Sequence, residues 1–294
     1  MLKKILSAKY DIIFKKMFSD VNNIDLLKHF LANMLSLPIE TITEIEVRNP
    51  EIIPEQVDGK IGQMDIRLRL NDSEVNVEMQ LHSDTTFKER VLYYWSKLYS
   101  GDLKESDTYS KLKKSISISI VNFNLFDCSD FHSVFKIKED IRGELLTDKC
   151  EIHFFELKKT SNELNCNNLT ELWLQLIRAD TEEVLNMLNN TQVPEIKKAV
   201  NVIRTMSEDE KVREMVRLRE KSMRDEASRL EAARNDGKAE GIAEGMAQGI
   251  AQGIAQGMAQ GMAQGKTLER ANMIEQMRAI GISEDKIEAV LRGL

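Results

Sequence analysis

Asp65 and Glu78 are the two residues whose types and spacing most directly suggest chemistry. They lie in residues 64–70 (MDIRLRL) and 74–81 (EVNVEMQL), which alternate polar and apolar side chains as strands do, with the turn signal Asn71-Asp72 between them. A two-residue turn would bring Asp65 opposite Glu78, with Cβ atoms roughly 5 Å apart. Two carboxylates at that distance repel each other unless a cation lies between them, and hard oxygen ligands favour Mg²⁺ or Mn²⁺.

The register of this hairpin is tightly limited, because a slip by one residue would place charged side chains opposite core residues. The remaining predicted pairs are Leu70 with Ser73, Arg69 with Glu74, and Arg67 with Asn76. Gln80 lies one step beyond Glu78 on the same face, within reach of a metal-bound water. The alternative is a solvated sheet face whose carboxylates simply point at water, and the spacing alone leaves both interpretations open.

The elements around the hairpin alternate between helical and strand patterns. Apolar spacing predicts helices over residues 8–35 (interrupted near 22–25), 86–100 and 162–189. Alternation and short apolar runs predict further strands over residues 41–48, 115–123 and 150–157. This order predicts an α/β fold with a central mixed sheet flanked by helices.

Composition divides the chain near Pro194, the last of its four prolines, and predicts a long helical C-terminal tail. The expected divisions are an α/β domain at 1–193, a charged helical segment at 194–236, a Gly-x-Ala-Gln tetrapeptide repeat at 237–266, and short helices separated by Gly281 at 267–294.

Glycine recurs every fourth residue from 241 to 265. Each glycine in a helix costs about 1 kcal/mol relative to alanine, and a four-residue period overshoots the helical turn by roughly 40°. Two interpretations remain open: a helix that forms a homo-oligomer through its Gly/Ala surface, or a flexible spacer. The Ile or Met in every repeat favours self-association.

Charge and composition exclude several classes of protein. The net charge of −7 argues against a general DNA-coating protein, so DNA contacts would come from local basic patches such as residues 3–16 and 111–114. No run of 18 apolar residues predicts a membrane span. Three cysteines without a CxxC spacing argue against a disulfide framework and fit a cytoplasmic protein.

Four stretches resemble the recombination-promoting nuclease and transposase family of bacteria, within the PD-(D/E)XK nuclease superfamily. They are DIIFKKMF at 11–18, GKIGQMDIRLRLNDSEVNVEMQ at 59–80, KERVLYYWSKLYSGDL at 88–103 and YSKLKKSISISIVNFNLF at 109–126. They follow the order of the family, and their combination is more specific than three polar residues alone. The resemblance implies a restriction-endonuclease-like core and metal-dependent cleavage of DNA phosphodiester bonds.

The resemblance also implies roles for individual residues. Asp65 matches the first acidic metal ligand of the family, and Glu78 matches the acid of its ExK-type motif. Gln80 stands where the wider superfamily has lysine, although this family commonly carries glutamine there. A neutral amide cannot take up a proton as an amine does, so we expect Gln80 to orient a water that the metal activates.

Three auxiliary residues follow from the same resemblance. Asp11 and Lys15 match the helical D-x-x-F-K segment, so Asp11 would add an outer metal contact and Lys15 would hold a phosphate; local pairing of Asp11 is the alternative. Arg90 matches the helix after the metal site and would contact the scissile strand. His82, on the face of Gln80, is a candidate base, although an ordinary exposed histidine is the simpler interpretation.

The sequence therefore predicts a Mg²⁺-dependent DNA endonuclease, with Mn²⁺ as a second possible ion, acting in recombination, mobile-element movement or defence against phage. A transposase that also joins strands is the first alternative, although no strand-transfer domain or helix-turn-helix pattern is evident. A non-catalytic DNA-binding or scaffold protein with a nuclease fold is the second, and the joint presence of Asp65, Glu78 and Gln80 argues against it.

Overall fold

The computed structural model describes residues 5–49, 51–52, 62–101, 103–104 and 106–291, and gives only the backbone of residues 51–52, 62–63 and 291. Residues 3–4 of the first basic patch, and residues 59–61 and 102 of the matched stretches, lie outside the described residues. The chain divides into two compact units, Met1–Glu220 and Lys221–Leu294.

A six-stranded mixed sheet forms the centre of the first unit, as predicted. Its strands in spatial order are β1 (Ile45–Arg48), β4 (Ile66–Leu70), β5 (Ser73–Gln80), β6 (Ser115–Val121), β8 (Cys150–Glu156) and β7 (His132–Phe135). β5, β6 and β8 are parallel, and the other neighbours are antiparallel. A second antiparallel pair consists of β2 (Glu51–Ile52) and β3 (Gly62–Gln63). The four-residue edge strand β7 was not predicted from the sequence.

The hairpin of β4 and β5 has the predicted register. Its pairs include Leu70 with Ser73, Arg69 with Glu74, and Arg67 with Asn76. Asn71 has a φ of 50°, a left-handed conformation that asparagine tolerates. Its Oδ1 accepts hydrogen bonds from the backbone N–H groups of Thr43 and Glu44 at 3.0 and 3.1 Å. Because these donors bond to Asn71, β1 begins at Ile45 and not at residue 41 as predicted.

Helices cover both faces of the sheet. The helices of the larger core are α1 (Asp11–Ser19), α2 (Ile24–Met34), α4 (Leu169–Arg178), α5 (Glu182–Asn189) and α6 (Pro194–Glu208). They enclose buried aromatic side chains such as Phe30 and Trp173 against Val75 and Val77 of β5. On the opposite face, α3 (Phe87–Ser100) packs its Phe87 into a smaller apolar cluster over β6 and β8.

The single helix predicted over residues 162–189 is wrong, because the structure has α4 and α5 there. The helix is interrupted at Thr181, whose backbone is extended. The Thr181 side chain accepts a hydrogen bond from the Val184 N–H at 3.4 Å and so caps the start of α5. The first unit also continues past residue 193, since Ile196 and Ile203 of α6 are completely buried in its core. Division of the chain at residues 193, 236 and 266 stays a prediction.

The second unit is helical throughout the tetrapeptide repeat. α7 (Glu210–Ala279) begins in the first unit and includes the whole repeat, and α8 (Glu284–Leu291) follows it. Residues 267–279 continue α7 and do not form the separate short helix that was predicted; the break lies at Gly281, whose φ is 79°. All side chains of the repeat are exposed, and a Cβ added at any of its seven glycines would meet no atom within 4 Å.

Candidate active site

Asp65 and Glu78 lie side by side where β4 and β5 leave the antiparallel ladder. Asp65 precedes the first residue of β4, so the two are not a strand pair as predicted. They are joined instead by hydrogen bonds: the Asp65 N–H donates to Glu78 Oε1 at 3.4 Å, and the Met79 N–H donates to Asp65 Oδ2 at 2.8 Å. The structure thus brings the two predicted carboxylates together through side chain to backbone bonds.

Glu78 is buried, with only 9% of its surface exposed, because α3 and β6 pack beside its face of β5. Burial, and then the charge of Asp65, raise the pKa of Glu78 to about 8. Asn76 opposes this shift, since its Nδ2 donates to Glu78 Oε1 at 3.2 Å, and the charge of Arg90 opposes it further. Below this pKa the Glu78 side chain is a neutral carboxylic acid, which limits its repulsion with Asp65.

Lys15 reaches the site from α1. Its Nζ lies 2.9 Å from Asp65 Oδ1, and the Asp65 side chain is largely buried. The ammonium therefore neutralises Asp65 directly, a contact that the sequence did not predict. The D-x-x-F-K segment identified Lys15, but its partner lies 50 positions further along the chain.

The other predicted residues do not converge on the carboxylates. Asp11 pairs with Arg219 at 3.3 Å, a partner far along the chain, so this contact is not the local pairing that was the alternative. Arg90 pairs with Asp84 at 3.3 Å and acts on Glu78 only through its charge. Gln80 Nε2 donates to the backbone carbonyl of His82 at 3.0 Å, and His82 itself is exposed.

Sequence reasoning missed how deeply the polar face of β5 is buried. Glu74 and Asn76 are almost completely inaccessible, and Arg48 and Arg69 bond the Glu74 carboxylate. β6 continues this surface with three buried serines whose hydroxyls have no hydrogen-bond partner among the described residues: Ser115, Ser117 and Ser119. The serines of the SISISIV stretch, at every second residue, were the signal that β6 also has a polar face.

The two carboxylates fit a hard divalent cation. Within the described part of the chain there is no group of three or more His, Cys, Asp or Glu side chains suited to a metal. Mg²⁺ does not need one, because it is often held by one or two carboxylates together with waters and substrate phosphates. Burial and then the charge of Asp65 raise the pKa of Glu78, and a cation between the two side chains would offset both effects.

Comparison with known proteins identifies the family. A family model for the PD-(D/E)XK nuclease family transposase matches residues 8–233, which include every predicted site residue and stop short of the tetrapeptide repeat. No curated protein and no solved structure matches the chain. None of the helices in the described residues combines the length and apolar composition needed to span a bilayer.

The match bears directly on the fold and the expected class of activity. The mixed sheet with flanking helices agrees with a restriction-endonuclease-like core, and nucleases of this kind typically use divalent metal ions and act on DNA. Because the matched region covers most of the chain, the protein belongs to the PD-(D/E)XK nuclease family transposases.

Proposed function

We propose that the protein is a Mg²⁺-dependent DNA endonuclease, able to use Mn²⁺, in which Asp65 and Glu78 hold the metal. One observation supports this most strongly: the two acidic side chains are held together in a largely buried site, where burial and then the charge of Asp65 raise the pKa of Glu78. A divalent cation bound between the two side chains would favour the ionised form of Glu78. Without a cation, placing two acidic groups together in a buried site only costs free energy.

The chain's own residues would position the substrate. When bound, the metal would lower the pKa of the attacking water and stabilise negative charge on the phosphate. Gln80 orients that water through its amide. Lys15, whose ammonium lies 2.9 Å from Asp65 Oδ1, would contact the phosphate of a substrate held at the carboxylates. Arg90 contacts the scissile strand, and Asp11 supports α1 from outside through Arg219.

The experiment is cleavage of supercoiled plasmid by the full-length protein with Mg²⁺, beside Asp65→Asn, Glu78→Gln and an EDTA control. Asp140→Asn is the matched control, because Asp140 is an exposed acid in the segment joining β7 and β8. We expect nicking or linearisation by the wild type and Asp140→Asn, and loss of at least about a hundredfold in both site variants, since the metal supplies several kcal/mol of charge stabilisation. Absence of cleavage with either ion would refute the proposal.

In the cell, such an enzyme would act in DNA recombination, mobile-element movement or defence against phage. The family description favours one further candidate, a transposase that joins strands as well as cutting them. Labelled donor ends incubated with target plasmid separate the two, because only strand transfer yields covalently joined product. A non-catalytic DNA-binding scaffold would give neither cleaved nor joined DNA. Calorimetry would then detect no Mg²⁺ binding that depends on Asp65, so wild type and Asp65→Asn would give the same result.

The tail is proposed to make the protein a homo-oligomer. The isoleucine and methionine side chains of the repeat are between 55% and 70% exposed, and its glycine row is open along the helix. Close helix approach across small residues is an established mode of helix association. Full-length protein with Ile250→Gln and Ile254→Gln should have a lower mass by light scattering than the wild type, and an unchanged mass would contradict the proposal.

A further inference from the structure

We propose that Arg67 forms a phosphate-binding subsite beside the two carboxylates and holds a backbone phosphate of the bound DNA strand next to the one that is cleaved. The inference rests on the proposed nuclease function, because it assigns a second contact to the same substrate. Its ligand is a nucleic-acid phosphodiester, and its site lies on β4.

Arg67 lies on the polar face of the sheet, one step from the carboxylates. It lies two positions after Asp65, and two residues of a strand advance by about 7 Å. In the ladder Arg67 pairs with Asn76, whose Nδ2 donates to Glu78 Oε1 at 3.2 Å. If a DNA strand had one phosphate at Asp65 and Glu78, its neighbouring phosphate would therefore lie close to Arg67.

The guanidinium of Arg67 is not needed to neutralise Glu74, the nearest buried acid. Glu74 is 1% exposed, and its carboxylate accepts from Arg48 Nη1 at 3.0 and 3.2 Å and from Arg69 Nε at 3.1 Å. Arg67 Nη2 lies 4.0 Å from Glu74 Oε2, which is longer than a hydrogen bond. Arg48 and Arg69 thus satisfy Glu74, and Arg67 contributes only a longer-range attraction.

Arg67 also retains unused hydrogen-bonding capacity. Its Nε is buried and has no hydrogen-bond partner among the described residues, while 21% of its side chain is exposed. A buried N–H without an acceptor carries a free-energy cost, which the guanidinium would lose by turning toward an incoming oxyanion. A guanidinium matches the two oxygens of a phosphate with two parallel hydrogen bonds, which suits it to this ligand.

The charge of the whole protein makes local cations important for binding DNA. With a formal charge of −7, the protein lacks a general attraction for nucleic acid, so affinity depends on individual cations close to the substrate path. Contacts to phosphates fix the position of a strand without reading its sequence. Arg67 would therefore set which phosphodiester reaches the carboxylates, whatever the bases.

The test measures binding of a short fluorescein-labelled DNA duplex to the full-length protein by anisotropy in EDTA, over a series of salt concentrations. For Arg67→Gln we expect about tenfold weaker binding on every duplex sequence and a salt slope smaller by about 1. Arg67→Lys should keep the salt slope and recover only part of the affinity. The matched control is Arg142→Gln, which removes the same charge from a 68% exposed arginine beyond β7. It should bind as the wild type does.

Arg67→Gln that melts as the wild type does yet binds DNA like Arg142→Gln would overturn the subsite. If Arg67→Gln does not fold, Arg67→Lys decides: unchanged affinity overturns the proposal, and reduced affinity with an unchanged salt slope supports it. The nuclease proposal fails separately, because a wild type that binds the duplex in EDTA but cleaves nothing with Mg²⁺ leaves the Arg67 result intact. A wild type that binds no DNA in EDTA at low salt overturns the subsite, whatever it cleaves with Mg²⁺.

Discussion

Both faces of β5 are buried over residues 74–79, but they differ completely in chemistry. Val75 and Val77 enter the large apolar core beneath α1 and α2, whereas Glu74, Asn76 and Glu78 are enclosed on the opposite face with arginines and serines. Burial of the first set removes apolar surface from water and stabilises the fold. Burial of the second set carries a cost unless every polar group is paired. Stability is thus concentrated on one face and the proposed chemistry on the other.

The largest effect expected from this comparison lies on the apolar face. Phe30 contacts Phe18 and Trp173 with ring centroids 4.6 and 5.6 Å away, and it is fully buried. Phe30→Ala should lower the free energy of unfolding by about 4 kcal/mol, measured by urea titration. Cleavage per folded molecule should not change, because the side chain is absent from the polar face. A loss of activity without a loss of stability would show that the faces are not independent.

On the polar face, Glu78→Gln should increase stability, whereas Phe30→Ala on the apolar face decreases it. The folded chain holds this proton up to a pKa of about 8, above the ordinary value of 4.5. The unfolded chain therefore releases it first as pH rises, and the metal-free protein loses stability between these two values. Glu78→Gln should lack this loss and be more stable than the wild type at pH 9 by a few kcal/mol. Equal pH dependence of the two proteins in urea, with EDTA present, would contradict the assignment.

Lys15→Gln should have a smaller effect that depends on metal. Its ion pair with Asp65, at 2.9 Å and partly exposed, should contribute about 1 kcal/mol to the metal-free protein. A cation on Asp65 replaces this contribution, so saturating Mg²⁺ should bring the melting temperatures of variant and wild type closer together. Differential scanning calorimetry with and without Mg²⁺ measures the difference. The idea fails if Mg²⁺ leaves the gap between the two unchanged.

The smallest effect is expected at Ser117, which is buried beside Asn76. Its hydroxyl has no hydrogen-bond partner among the described residues, so Ser117→Ala removes an unsatisfied polar group. The variant should unfold within about 1 kcal/mol of the wild type, and on the stable side. Ile118→Ala, on the apolar face of the same strand, should instead cost about 3 kcal/mol. Comparable losses in the two variants would mean that the serine row has partners of its own.

Local patterns were sufficient to predict the hairpin and insufficient to predict its surroundings. Alternation and the Asn71-Asp72 turn fixed which residues of β4 and β5 pair, because only one register keeps both faces consistent. The same alternation cannot distinguish a polar face open to water from one covered by α3, since the covering helix lies outside the hairpin. The Lys15–Asp65 contact could not be predicted for the same reason, because it depends on how α1 packs on the sheet.

Helix boundaries show a related limit. Apolar spacing over residues 162–189 continues almost unbroken across the gap between α4 and α5, so periodicity predicted one helix. The decisive signal was a single side chain, Thr181, which caps α5. In the tail, glycine content argued for a poor helix, yet α7 continues through all of it. The low helix propensity of the seven glycines therefore did not show where the helix ends. The helix ends just before Gly281, whose φ is positive.

The near-identity of the repeats in α7 has a consequence for inheritance. Each unit has four residues, so the gain or loss of one unit changes the gene by a whole number of codons and keeps both the reading frame and the four-residue period. One unit moves residues 221–236 and α8 apart or together by about 6 Å along the axis and turns them by about 40° relative to each other. A change in the number of units would therefore alter the length of this segment in fixed steps and leave the sequence of residues 8–233 unchanged.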